Sequence, residues 1–461
     1  MSLSIVLVRP KPHPESIGLQ KFMISEPLEL EYLSAVLEGA GHRVRIIDMI
    51  LEPESRFIPM IRETDPDLVG FTAYIPHVGQ VIKYARQLKD RFPRLPVVAG
   101  GVHAECNPED FVDSAVDYVV KANGMKTMLQ LATALEKGDG AGTIRRDVPG
   151  LWNGPDKPCE IETAWGDYPF PDRTKTAQYR DRYNYIFHEK CAIVKTSFGC
   201  PYKCEFCYCI AITQGNYWAR PIEEVVEEMA GIEEENIFIV DDDFLVSIDR
   251  IRQFCTLMDE RQIKKNFILF GRADFITEHT DTIRLLKEHG LKAIFVGIES
   301  FKEEELESYQ KKTTVAMNTR AVQLLDEMGI ECYSGIIVGT DWDRENFNTL
   351  IKFLKQFKMP LLNVQPITPI PGTPLYEKMK DKILVPRDKF HLWDMAHILI
   401  EPEKMSRRAF YWNMLRVYYQ TSTGFKGHWY VLKNYGFRVY RHTAAGALYI
   451  TWQYLKLVMK G

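Results

Sequence analysis

The sequence predicts an α/β protein made of two successive parallel-sheet units followed by a mixed, mainly helical C-terminal region. Three observations carry this. Short apolar runs alternate with amphipathic stretches from Leu3 to about Ala122, a second alternation starts at Cys191, and beyond about Ile370 the pattern turns aromatic and helical. Strands that are apolar throughout and separated by helices belong to parallel sheets covered on both faces.

Residues 1–142 form the first unit. Its strand candidates are LSIVLV, HRVRIID, DLVGFTAY, LPVVAGG and VDYVVK, and its helices are PLELEYLSAVLEGAG, one near Ile58, and HVGQVIKYARQLKDRF. Such a sheet binds ligands beyond the carboxyl ends of its strands, here Arg9 to Pro14, Thr72 to His77 and Gly100 to His103. Residues 143–190, rich in Pro, Gly, Asp and Trp, read as an extended connector. Residues 191–370 hold six strand candidates, CAIVKTSFGC, NIFIVDDD, FILFGRAD, LKAIFVGIES, CYSGIIVGT and PLLNVQPI, with helical patterns in every gap. They fit a partial parallel barrel better than a second open sheet, although periodicity leaves both available. Residues 371–461 are the C-terminal region.

With 461 residues, 46% hydrophobic and 26% charged, the chain is long enough to bury two or three cores, which excludes disorder. The net charge of -4 hides an asymmetry: from Lys404 onward there are ten Lys and Arg and no Asp or Glu, leaving 48 basic against 62 acidic residues upstream. A basic end suits an anionic partner, or neutralisation by the protein's own acidic face. Of nine cysteines, four fall between Cys200 and Cys209, which reads as metal binding in a reducing compartment rather than a disulfide framework. The first residues lack the regions of a signal peptide and no apolar run approaches ~18 residues, so a cytoplasmic protein is expected.

Cys200-Pro-Tyr-Lys-Cys204-Glu-Phe-Cys207 follows an apolar strand directly, so one loop can curl three thiolates around a point. Three thiolates leave one iron of a cubane cluster open to a ligand. Structural zinc is the alternative, with Cys209 or a histidine as its fourth ligand.

At these residues the chain resembles the radical S-adenosylmethionine (SAM) superfamily, whose CxxxCxxC motif carries an aromatic before its last cysteine, here Phe206. The resemblance implies a TIM-like partial (β/α)6 barrel, a [4Fe-4S] cluster on Cys200, Cys204 and Cys207, and SAM contacts from Phe206, Asp241, Asp242, Asp243, Arg272 and Glu299. It implies reductive cleavage of SAM to a 5′-deoxyadenosyl radical, with electrons from a donor such as flavodoxin or ferredoxin. Arg272 and Glu299 could instead pair with each other across neighbouring strands. Cys209 reads as a bystander.

An open α/β domain ahead of such a barrel resembles the cobalamin-binding class of the superfamily, as do the phrases PFPDR, PGTPL and WDMAH around Trp393 and His397. The resemblance implies a Rossmann-like cobalamin-binding-type domain with contacts from Gly70, Thr72, Gly100, Gly101 and His103. Two departures stand out. The loop after the first strand, RPKPHPESIG, has His13 but not the Asp and Gly of a D-x-H-x-x-G motif, and Lys121-Ala-Asn-Gly124 replaces the usual acidic turn. His13 reads as a loop residue rather than a cobalt ligand.

Residues 405–461 interleave rings, among them Trp412, Tyr419, Trp429, Tyr440, Trp452 and Tyr454, with Lys and Arg. That composition suits peripheral membrane contact, or equally a helical cap whose rings are core. Nucleic acid is not an expected partner. The expected function is a cobalamin-dependent C-methyltransferase acting on an unactivated carbon of a small molecule, lipid or isoprenoid. The competing readings are a radical SAM oxidoreductase, cyclase or mutase with or without cobalamin, and a zinc-stabilised binding protein.

Overall fold

The computed structural model describes residues 2–112, 114–155, 159–357, 359, 361–421 and 425–460, with the side chains of Phe425 and Lys426 outside the description. In the N-terminal unit β1 (Ser4–Arg9), β2 (Arg43–Asp48), β3 (Leu68–Thr72), β4 (Val97–Gly100) and β5 (Tyr118–Val119) form a parallel sheet in the order β2-β1-β3-β4-β5. Helices α1 (Leu28–Gly39), α2 (Phe57–Thr64), α3 (Val78–Arg91), α4 (Val102–Cys106) and α5 (Gly124–Lys137) complete it. Successive residues of β1 feed opposite faces, as the two-residue period of a strand requires. Val6 and Val8 join a core with Phe57, Phe71 and Tyr84, while Ile5 and Leu7 join another with Leu30, Leu37 and Leu131. The chain leaves β1 toward β2 and returns on its other side as β3, so a crevice opens above the carboxyl ends of β1 and β3.

The second unit is a partial barrel. Strands β6 (Cys191–Val194), β7 (Asn236–Ile239), β8 (Asn266–Gly271), β9 (Leu291–Glu299), β10 (Glu331–Val338) and β11 (Leu361–Pro366) lie side by side in chain order, all parallel. A strand order without reversal, with rings packed in series across the inner face, is that of a barrel wall. The centroids of Tyr185, Phe238, Phe270 and Phe295 follow one another at 4.0, 5.2 and 5.3 Å. The outer face packs on α6 (Ile222–Gly231), α7 (Ile248–Glu260), α8 (Thr280–Glu288), α9 (Val315–Met328) and α10 (Arg344–Leu354). Two C-terminal helices, α11 (Arg407–Thr421) and α12 (Phe425–Lys460), follow. Gly436 (φ 77°, ψ 176°) breaks α12, because a glycine tolerates that backbone at no steric cost.

The connector, expected to be extended, contains a 3₁₀ run, Arg173–Arg182, whose arginines bind both units. Glu26, before α1, accepts from the Ile193 amide at 2.5 Å and pairs with Arg180. Arg173 donates to the Ile193 carbonyl at 2.7 Å and to Glu228 at 2.9 Å. The buried Arg220 donates to Glu228 at 2.6 Å, the Lys195 carbonyl at 2.8 Å and the Tyr32 hydroxyl at 2.9 Å. Charges taken out of water hold only as a set, and removing one partner leaves the others uncompensated. Glu228→Ala should therefore lower stability by about 3 kcal/mol or more in urea unfolding. A loss below about 1 kcal/mol would show that the network does not join the units.

Candidate functional site

The cysteine loop leaves β6 through Thr196 and Ser197, and Asp241 at the end of β7 fixes that exit. Asp241 accepts from the Thr196 amide (2.6 Å) and hydroxyl (2.5 Å) and from the Ser197 amide (3.1 Å) and hydroxyl (2.7 Å). Gly199 then turns at φ +79°, where a Cβ would lie 2.0 Å from the Asn216 carbonyl oxygen, so only glycine fits before Cys200. Further along, the Glu205 amide donates to the Tyr309 carbonyl (3.1 Å), and the Glu205 carbonyl accepts from the Leu375 amide (3.0 Å) in the PGTPL segment.

Cys200, Cys204 and Cys207 are free thiols, the second buried and the others half-buried. Among the described residues, the ligand atoms of one His, Cys, Asp and Glu trio lie within 4.8 Å of one another, and it is His13, Glu15 and His391, not the three cysteines. Cys209, two residues beyond, holds the Cys207 thiol below its ordinary range.

The expected SAM residues divide. Asp241 holds the loop with both carboxylate oxygens and also lines the cavity between the units. Asp243 accepts from the Leu245 amide (3.0 Å), while its Oδ2 is buried without a partner, and burial raises its carboxyl to about 7. Asp242 faces the cavity beside Lys195 at 3.6 Å. Arg272 does not pair with Glu299. Its guanidinium lies 3.7 Å above the Tyr202 ring of the loop and donates to Asp274 (2.7 Å) and the Lys311 carbonyl (2.8 Å). Glu299 instead pairs with the buried Lys311 at 3.0 Å, at a bulge in β9 where its φ is +60°. A non-glycine residue held there costs of order 1 kcal/mol, and such strain collects at functional sites. Phe206 packs edge-on against Tyr309 at 5.8 Å, with Lys311 5.9 Å from its ring.

Between the units lies a cavity of about 700 Å³. Gly70, Thr72, Gly100 and Gly101 line it from the open sheet, and Lys195, Tyr208 and Asp242 from the barrel. At Gly101 (φ +90°) a Cβ would come within 2.7 Å of the Thr72 hydroxyl, so the strand-end turn is backbone only. The mostly apolar slot behind it, with Leu7, Leu30, Val98 and Met128, is the kind of cleft a bulky nucleotide tail enters. Among the described residues that line this cavity there is no histidine. His103 is absent from this lining and meets Asp110 (2.7 Å), itself held by Arg387. His13 stacks on His391 at 4.3 Å, outside the cavity. Lys195, Tyr74 and Tyr208 are lining residues that no motif had singled out.

Residues 23–132 match the B12 binding domain and residues 194–354 the radical SAM superfamily. The chain is 27% identical over 413 residues to the hopanoid C-3 methylase of Methylococcus capsulatus, covering 88% of this chain and 78% of that protein. It is 25% identical over 437 residues to the anaerobic magnesium-protoporphyrin IX monomethyl ester cyclase of Cereibacter sphaeroides, covering 88% and 68%. Its fold is similar to that of the cobalamin-dependent S-adenosylmethionine radical enzyme OxsB, solved with aqua-cobalamin and SAM bound (TM-score 0.67, 15% identity, 100% of this chain and 79% of that one). Fold and site thus define a radical SAM enzyme. The chain belongs more narrowly to the class that joins a B12-binding domain to the radical SAM barrel, with a [4Fe-4S] cluster, SAM and cobalamin as cofactors.

Serine at Cys200, Cys204 and Cys207 together should take anaerobically reconstituted protein from about four iron and four sulfide per chain to almost none. Cys209→Ser should keep both. Near-equimolar zinc without labile sulfide in the unaltered protein would contradict the cluster.

Proposed function

We propose that the chain is a cobalamin-dependent C-methyltransferase acting on an unactivated carbon of a lipid or isoprenoid. The observation that carries this is a second cavity of about 470 Å³, mostly apolar, that adjoins the first: Arg9, Ser25, Tyr74, Val102 and Tyr208 line both. Its far walls include Ile17, Met23, Val364, Trp393 and Ile450, a lining suited to a hydrocarbon. The hopanoid methylase among the relatives supports the same substrate class.

Bound together, the cluster and SAM supply a hydrogen-abstracting 5′-deoxyadenosyl radical, and cobalamin supplies the methyl group. The chain's own residues position and enclose. With SAM bound, the unpartnered Oδ2 of Asp243 would accept from its amino group, and Asp242, Glu299 and Phe206 would hold the remainder. Gly70, Thr72, Gly100 and Gly101 leave room for the cobalamin tail. Tyr74 and Tyr208 line both cavities, and enclosing the reacting centre there would protect a radical from side reactions. Flavodoxin or ferredoxin would deliver the electron. A substrate of this kind lives in a bilayer, so the reading includes contact between residues 405–460 and a membrane, and no helix of the described residues is long and apolar enough to cross one.

Anaerobic incubation with reductant, cobalamin, a lipid extract and SAM labelled in its methyl group should yield 5′-deoxyadenosine and a lipid carrying the label. Deoxyadenosine with an unlabelled, cyclised or oxidised product would overturn methyl transfer in favour of the cyclase reading.

A further inference from the structure

Beyond its break, α12 carries an apolar stripe that faces outward. Phe437, Leu448, Trp452 and Met459 are 68%, 71%, 54% and 65% exposed, and from the exposed Ala445 onward, through Leu448 and Trp452 to Met459, they recur at spacings of three, four and seven residues that keep one face of a helix. A stripe turned to solvent is the reverse of what a surface helix normally presents. Basic residues border it: Arg441, Lys456 and Lys460, with Arg438 shared with Glu189 at 3.0 Å. No Asp or Glu occurs after Glu403.

The opposite face of the same helix roofs a third cavity of about 220 Å³. Val431, Ala444, Ala447 and Ile450 of α12 face Phe22, Phe187, Phe295 and Leu361 across it. Leu19, Met23, Asn363, Tyr418 and Ile450 line both this cavity and the 470 Å³ one, so the two adjoin through shared walls, and Tyr208, next to Cys207, lines the larger of them.

We propose that the α12 stripe seats in the headgroup layer of an anionic bilayer and that the cavity beneath it is the inlet through which an apolar substrate passes to the site. The inference rests on the lipid-substrate reading. Charge decides the occupant. A second copy paired along the stripe would set Arg and Lys against Arg and Lys with no carboxylate to compensate, which is unfavourable pairing. Anionic headgroups complement the basic border, and aromatic rings beside basic residues suit the interfacial layer. The inlet under the helix gives the contact a purpose that an acidic protein partner would not.

Flotation of the full reconstituted chain with phosphatidylcholine vesicles, with or without about 30% phosphatidylglycerol, tests the docking. The chain should float with the anionic vesicles, remain largely free of the neutral ones, and be released as salt rises. Phe437→Ser/Leu448→Ser/Trp452→Ser should weaken flotation about tenfold or more with its iron–sulfur absorbance intact. Ala447→Phe, which fills the inlet, should float normally but lose about tenfold affinity for a fluorescent polyene lipid. Absence of the unaltered chain from anionic vesicles, undiminished flotation of the triple variant, or a dimer that the triple variant abolishes without changing flotation would overturn the docking. Unchanged probe binding in Ala447→Phe would overturn the inlet. None of these readouts uses methyl transfer, so their failure is separable from failure of the proposed reaction.

Discussion

The site depends on a buried ionic junction. Glu26 and Glu228 contribute carboxylates from the two units, and Arg173, Arg180 and Arg220 neutralise them from the connector and barrel. Because no member is stable there alone, the network forms in one arrangement, and that arrangement sets the spacing between the open sheet and the barrel mouth. The 700 Å³ cavity is the space left between two surfaces held apart in this way. Fixed spacing matters for chemistry in which two cofactors must act on one substrate carbon, since small displacements are costly.

Within that frame the loop that carries the thiols is anchored at both ends. Asp241 binds its start with four hydrogen bonds, and the Glu205 backbone ties its middle to Tyr309 and Leu375. Arg272 covers Tyr202 from below, and Lys311 pairs with Glu299 beside it. Two cations thus lie near the thiols, and their charge opposes the desolvation that raises Cys204. An anionic cluster suits such surroundings. Most of the conspicuous charged residues build the frame, while Asp243 is left with an unpartnered oxygen.

The architecture was legible because its physics is periodic: apolar strands at two-residue spacing and helices near 3.6 reveal themselves in any window. The cysteine loop was legible because three ligands for one cluster sit within eight residues. Side-chain roles were less so. Asp241, Asp242 and Asp243 are identical in type and adjacent, and only three-dimensional neighbours decide that the first ties a loop, the second meets Lys195 and the third is left open. Arg272 and Glu299 were expected to reach SAM, with pairing to each other as the alternative; Asp274, two residues on, is the partner of Arg272, and Lys311 from a distant turn takes Glu299. His103 stood at a strand end as ligand-binding residues do, yet Asp110 turns it away. The basic, aromatic end was visible in composition, whereas the outward face of its stripe was not, because periodicity defines a face without saying which way it points.

The central claim is that the two units line one chamber, so that cobalamin held by the open sheet and a cluster held by the cysteine loop would lie close together. Electron paramagnetic resonance of protein loaded with paramagnetic cobalamin and a reduced cluster tests this most directly. The account predicts that each signal broadens when the other centre is present. Two sharp, independent signals from fully loaded protein would contradict it.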